Sequence, residues 1–334
     1  MTKVIDTFLF FQELDLAEIR MEYLDDLVDH FVIVEAAQTF SGKPKPFNFE
    51  ANRSRFAKFD SKIVYIKIED HHENFSGVIQ HLSSRQDATS GKIRMLLEAH
   101  AHYDKSNLPW VLESYHRECI QYGLDQISKP DDIILLSDLD EIPARARISE
   151  LINAPPQHLV DLQQNEFCYF LNFYRDSNWL GTIAGRYQNF SQKSLNELRS
   201  DSNSARIWFI ETPLLNGGYH FTNVGNIEMI RNKIASWGHQ EYNNSFTLSK
   251  LEENIRTGQD AFNRKTGTTL SQVDISTSEL YDTTMGRILQ NYPEMISSDP
   301  IGNIPYSLNR DIIRRIRKLV SRLWYELKRR ISSF

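Results

Sequence analysis

Four short runs that stay apolar on successive residues constrain this chain most. They are "VIDTFLFF", "HFVIVEA", "SKIVYIKIED" and "DDIILLSD", and helical patterns lie between them. In "ELDLAEIRMEYLDDLV" the residues Leu14, Ile19, Tyr23, Leu24 and Leu27 fall near helical spacing, and "PWVLESYHRECIQYGL" predicts a helix before the fourth run. Strands that are apolar on both faces and alternate with helices predict an α/β fold with a mostly parallel sheet covered on both sides, an architecture of the nucleotide-binding type.

Between these elements, "QTFSGKPKPFNFEANRSRF" reads as an ordered loop leading into a helix, whereas "HHENFSGVIQHLSSRQDATSG" has little periodicity and reads as a mobile or inserted segment. Beyond residue 143 the character changes. A strand-like "FCYFLNFY" is followed by a polar stretch from Ser191 to Ser204, then "RIWFI", "GGYHFT" and the helical "NIEMIRNKIASWGH". We expect a catalytic domain over residues 1–306, with a nucleotide-binding half at 1–143 and a mixed α+β half at 144–306 that shapes a second substrate's site.

The first residues lack the pattern of a secretory signal, and no apolar run approaches the roughly 18 residues of a membrane span, so a cytoplasmic location is expected. Cys119 and Cys168 form no CxxC pair and read as small core residues. The net charge of −6 is uneven: residues 307–334 carry about +7, which leaves about −13 for the rest. That basic segment places Ile312, Ile316, Leu319, Leu323 and Leu327 on one helical stripe. It is expected to lie on an anionic membrane surface or to dock on the catalytic domain. With an acidic body and no recognised module, nucleic acid is not an expected partner.

The fourth run ends in "SDLDEIP", which puts Asp138, Asp140 and Glu141 at the carboxyl end of a strand, where open α/β sheets bind ligands. Residues two apart in an extended segment share a side, so Asp138 and Asp140 can face one divalent cation while Leu139 turns inward. Hard oxygen ligands suit Mg²⁺ or Mn²⁺. Helix capping or a solvated turn would also account for the acids, as would a metal-dependent phosphohydrolase or nucleotidyltransferase.

The blocks "IDTFLFFQELDLAEIRMEYL", "VDHFVIVEAAQTFSGKPKPFNF", "SDLDEIPAR", "GGYHF" and "KIASWGHQEYN", in that order, resemble glycosyltransferase family 17 from about Ile5 to Asn291. The resemblance implies a GT-A type fold, a nucleotide-sugar donor such as UDP-GlcNAc, Mn²⁺ or Mg²⁺, and transfer of the sugar with inversion to a glycan or lipid-linked glycan. It places the family's DxD on Asp138 and Asp140 and suggests His220 as a further metal ligand. Phe8, Glu13, Arg20, Glu35, Lys43, Lys45, Arg117, Glu141 and His239 are candidates for holding the donor, although Glu13 and Arg20 could instead pair along the first helix. An inverting transfer needs one carboxylate as base, for which Glu241, Glu166 and Glu211 are candidates. Trp237 and Tyr219 are candidates for stacking on a sugar. A glycan-binding module without catalysis is the remaining alternative.

Overall fold

The computed structural model describes residues 2–101, 103–199, 210–262, 264 and 270–301. The basic segment at 307–334 and part of the polar stretch, 200–204, lie outside the described residues. Ten strands form one sheet among the described residues: β1 (Val4–Phe10), β2 (His30–Ala36), β3 (Ile63–Ile68), β4 (Ile133–Leu136), β5 (Glu141–Pro143), β6 (Leu159–Cys168), β7 (Phe173–Arg186), β8 (Ile210–Leu214), β9 (Gly218–Thr222) and β10 (Ser271–Gln272). The main path runs β3-β2-β1-β4-β7-β6-β9-β5. Strands β1 to β4 pair in parallel, as the four apolar runs require, and β4 then meets β7 antiparallel. The sheet therefore continues across residue 143 without a break.

Side chains alternate between two buried layers because the strand period is two. Val4, Phe8 and Phe10 of β1, with Phe31 and Ile33 of β2, face the helix Leu14–Leu24 and the aromatics Phe49, Phe56 and Phe59. Ile5, Val32, Val34, Ile134 and Leu136 face the other way, against helices that carry Leu97, Val111, Tyr115 and Leu124. There the helix Ile120–Ile127 comes so close that a Cβ on Gly123 would stand 2.4 Å from Val32. Both cysteines are buried and unbridged. No helix among the described residues is long and apolar enough to cross a membrane.

Three local expectations change. The segment after "HHE" is ordered: helices span Phe75–Ser84 and Ala88–Ala99, capped by the Asn74 and Asp87 side chains, and each puts an i,i+4 apolar pair into the second layer. The helix expected before β4 is two, Leu108–Glu118 and Ile120–Ile127. "FCYFLNFY" is a hairpin corner, where Cys168 ends β6, Tyr169 takes a φ of 69° and Phe173 starts β7.

An ion pair lies wholly inside the first layer. Arg20, at zero exposure, forms a two-bond pair with Asp6 at 2.7 and 2.6 Å, and donates to Ser137 Oγ at 2.6 Å. Its remaining nitrogen donates to the carbonyls of Asp138, Leu139 and Glu141 at 3.0, 3.1 and 2.8 Å. The pairing along the helix that sequence allowed between Glu13 and Arg20 does not form, because Asp6 in β1 takes the guanidinium. Removing one partner strands a buried charge, so Arg20→Met should lower the unfolding free energy by about 3–5 kcal/mol in urea titrations. The same change at Arg55, whose partners Asp15 and Glu18 are partly solvated, should cost about 1 kcal/mol or less.

Candidate active site

The carbonyls that Arg20 holds belong to the turn between β4 and β5, so the guanidinium shapes this turn from below. Above it opens a cavity of about 740 Å³ at the carboxyl ends of β1, β2 and β4. Its wall carries Asp138 and Asp140 from the turn, Glu13 from the exit of β1, and Glu113 and Arg117 from the helix Leu108–Glu118. Arg199, His220 and Lys233 close the far side.

Each acid meets a cation. Asp138 faces Arg117 at 2.6 Å and Arg199 at 3.2 Å. Burial works to raise its pKa, but the two guanidinium groups outweigh that and hold it well below the carboxylate range. Asp140 faces Lys233 at 2.9 Å, with His220 at 3.8 Å, and is likewise lowered against the effect of burial. Lys233 also reaches Glu13 at 3.1 Å, and although burial lowers its pKa, the two acids bring it above the ordinary lysine value. Glu113 is the exception, because burial dominates and raises its pKa despite Arg117 at 3.2 Å.

Glu141 is buried beneath the turn. It accepts from the Asp138 backbone N–H at 2.9 Å, from Trp179 Nε1 at 2.7 Å and from Arg199 at 2.6 Å, so it braces the turn and holds Arg199 in place. Trp179 in turn stacks on His220, with ring centroids 4.3 Å apart. Pairing of β5 with β9 sets Glu141 opposite His220. Asp138, Asp140 and His220 do not form a group whose ligand atoms all lie within 4.8 Å of one another.

The other sequence candidates divide. Lys45 and His239 line the cavity, as do Glu13 and Arg117. Phe8 and Arg20 are fully buried below it, with the guanidinium 4.9 Å from the Phe8 ring centroid. Glu35 is wholly buried and its oxygens are engaged by Lys45, two backbone N–H groups at Asn48 and Phe49, and Tyr65. It anchors the β2 exit, where a contact to the donor was expected. Lys43 is exposed and its Nζ lies 3.5 Å from the Ala235 carbonyl.

Of the three candidate bases, Glu166 pairs with Arg175 at 3.0 Å and lies 3.9 Å from the inner nitrogen of His220. Glu241 is exposed and pairs with His239 at 2.7 Å. Glu211 belongs to β8, and its side chain lies outside the described residues. Trp237 lines the cavity, whereas Tyr219 is packed between Tyr23, Phe221 and Tyr281 in the core. Sequence reasoning missed Lys233, Arg199, Glu113 and Trp110; Lys233 stood in plain view one turn before "SWGH".

With this geometry established, comparison with known proteins is informative. Residues 1–96 match the family model for glycosyltransferase family 17. The match bears out the resemblance drawn from the sequence blocks; it spans β1 to β3 and ends before the Asp138 turn. The beta-1,4-mannosyl-glycoprotein 4-beta-N-acetylglucosaminyltransferase of Rattus norvegicus is 23% identical over 294 residues, covering 77% of this chain and 48% of that protein. The Homo sapiens protein of the same name gives the same identity and coverage. The chain thus spans about half the length of these relatives. Among solved structures, a mannosyltransferase from Pyrobaculum calidifontis, in complex with GDP-Man and Mn²⁺, aligns over 97% of this chain and 83% of its own at 8% identity. Its TM-score of 0.31 is too low to define the fold.

His116, also on the cavity wall, carries a pH consequence. Burial lowers its pKa from 6.5 to about 3, against the pull of Asp70. As pH falls the unfolded chain takes up this proton first, so the stability that neutral His116 confers is full above pH 6.5 and lost progressively toward pH 3. Between pH 7 and pH 5 this group should cost about 2 kcal/mol, so the loss in urea stability over that interval should be smaller by about that amount in His116→Gln than in wild type.

Proposed function

We propose that this chain is a glycosyltransferase that binds a nucleotide-sugar donor in the cavity above the Asp138–Glu141 turn and transfers the sugar to a glycan hydroxyl with inversion. The observation that carries the reading is that acidic turn, at the carboxyl end of a parallel strand, facing a cavity lined by Lys45, Arg117, Arg199 and Lys233. The volume falls within the range of about 300–1,000 Å³ usual for small-molecule and cofactor sites. The family match over residues 1–96 and the N-acetylglucosaminyltransferase relatives support the reaction class and favour UDP-GlcNAc as donor.

The basic side chains suit a diphosphate. Arg117 and Arg199 present planar donors that match phosphate oxygens, and Lys45 and Lys233 add compact charge. Trp110 and Trp237 supply flat apolar surface on the same wall. Asp138 and Asp140 carry the hard oxygen donors that Mg²⁺ or Mn²⁺ prefers, and the low pKa of both keeps them ionised for that purpose. A divalent cation held by them would neutralise charge developing on the departing diphosphate. Binding donor and cation requires Arg199 and Lys233 to exchange carboxylate partners for phosphate oxygens.

Inverting transfer needs a carboxylate that takes the acceptor's proton as its oxygen attacks. Glu113 faces the cavity with a raised pKa, a more basic carboxylate than Asp138 or Asp140, and we assign it this role ahead of Glu241 at the exposed edge.

Product analysis by mass spectrometry with UDP-GlcNAc, a glycan acceptor and Mn²⁺ should give glycosylated acceptor and free UDP. Asp140→Asn should lower turnover by on the order of 10²–10³-fold, the scale of losing one preorganised electrostatic contact. Turnover that needs no metal and survives Asp140→Asn, or release of phosphate in place of UDP, would overturn the proposal. Glu113→Gln should lower kcat by about 10²-fold or more with little change in donor KM, while Glu241→Gln should leave kcat within about threefold of wild type; the reverse pattern moves the base to Glu241.

A further inference from the structure

Outside the cavity, the exit of β3 carries "DHHENF", and the helix Phe75–Ser84 brings a third imidazole back over it. Asp70, His72 and His81 converge there, each with one ligand atom, all within 4.8 Å of one another. His72 Nε2 lies 2.5 Å from Asp70 Oδ2, and His81 Nε2 lies 3.6 Å from Asp70 Oδ1. The Nε2 atom of His81 is buried and makes no hydrogen bond among the described residues. The two rings meet edge to face at 5.3 Å.

The surroundings hold the three side chains in place before any ion arrives. Gln38 grips the His72 backbone from both sides, accepting from its N–H at 3.0 Å and donating to its carbonyl at 2.9 Å. Tyr115 donates to Asp70 Oδ2 at 2.9 Å, the kind of outer hydrogen bond that orients a ligating carboxylate.

We propose that Asp70, His72 and His81 bind a transition-metal ion of the Zn²⁺ class, at a site separate from the Asp138–Asp140 turn and structural in role. Two imidazoles and one carboxylate suit Zn²⁺ over Mg²⁺, whereas the Asp138–Asp140 turn presents carboxylate oxygens, which suit Mg²⁺ or Mn²⁺. Three protein ligands leave a fourth, tetrahedral position for water. Binding through Nε2 replaces the His72–Asp70 hydrogen bond with metal bonds, and the proton of the neutral ring moves to Nδ1. The ion then ties the exit of β3 to the helix Phe75–Ser84 and, through Gln38, stiffens one wall of the cavity.

The test uses the full chain, stripped with chelator and dialysed against Zn²⁺. Elemental analysis should find stoichiometric zinc in wild type and in Asp140→Asn. His81→Gln, a partly exposed position whose folding circular dichroism verifies, should weaken zinc binding by more than about 100-fold, since losing an outer partner alone costs on the order of 10–100-fold. Zinc should raise the Tm of wild type and leave that of His81→Gln unchanged. X-ray absorption at the zinc edge of wild type, which needs no variant, should report two imidazole ligands. Absence of stoichiometric zinc in wild type, unchanged affinity in His81→Gln, or a ligand shell without imidazole would each overturn the proposal and leave the donor-site assignment untouched.

Discussion

The buried pair between Arg20 and Asp6 is the interaction on which the rest of the site depends. A guanidinium cannot shed its charge, so placing it at zero exposure demands an acceptor for every N–H. Asp6 and Ser137 satisfy three of them, and the other nitrogen is shared among three carbonyls of the Asp138–Glu141 turn. That demand fixes the path of the turn. Because three carbonyls point inward at one cation, the carboxylates of Asp138 and Asp140 are turned toward the cavity wall. The first helix, which reads in sequence as a simple amphipathic cover for the sheet, thus presents from its buried face the group that organises the acidic turn.

Above the turn, the cavity is kept folded by charges that satisfy one another. Arg117 and Arg199 share Asp138, Lys233 bridges Glu13 and Asp140, and Glu141 holds Arg199 from below. In a poorly solvated pocket such an arrangement is costly to break by removing one member, because an uncompensated buried charge is left behind. In the proposed function, an incoming diphosphate would offer the basic groups oxygens in place of carboxylates, and a cation would offer the carboxylates a partner in place of Lys233. The site can therefore trade its internal contacts for ligand contacts with little change in total charge.

Much of this was legible in the sequence, and the failures have physical causes. The four parallel strands could be read because burial on both faces leaves uninterrupted apolar runs. The acidic turn could be read because Asp138 and Asp140 follow an apolar strand at its carboxyl end, where open α/β sheets bind ligands. The helices at Phe75–Ser84 and Ala88–Ala99 were missed because each buries only a narrow stripe, although Asn74 and Asp87 were cap signals in plain view. Glu35 ends β2 and reads in sequence as a donor contact, and only the fold reveals that Lys45, Tyr65 and two amides use up its oxygens. Tyr219 could have been excluded from the cavity by period alone: if His220 faces the cavity from a strand, its neighbour faces the core. Lys233 and Arg199 could not be tied to the site from sequence because their partners Asp140 and Asp138 lie 93 and 61 residues away in the chain.

The pairing of β5 with β9 has a consequence for how such a chain can change over generations. Gly218 sits opposite Pro143 at a φ of 128°, where a Cβ would stand 2.1 Å from the Ile142 carbonyl. A side chain at 218 would push on the strand that begins with Glu141, and through it on the turn that Arg20 holds. The two positions lie 75 residues apart in the chain, yet neither is free to drift alone. Variation in what the protein accepts must then arise in segments that do not touch this ladder, while the ladder itself is inherited as a block.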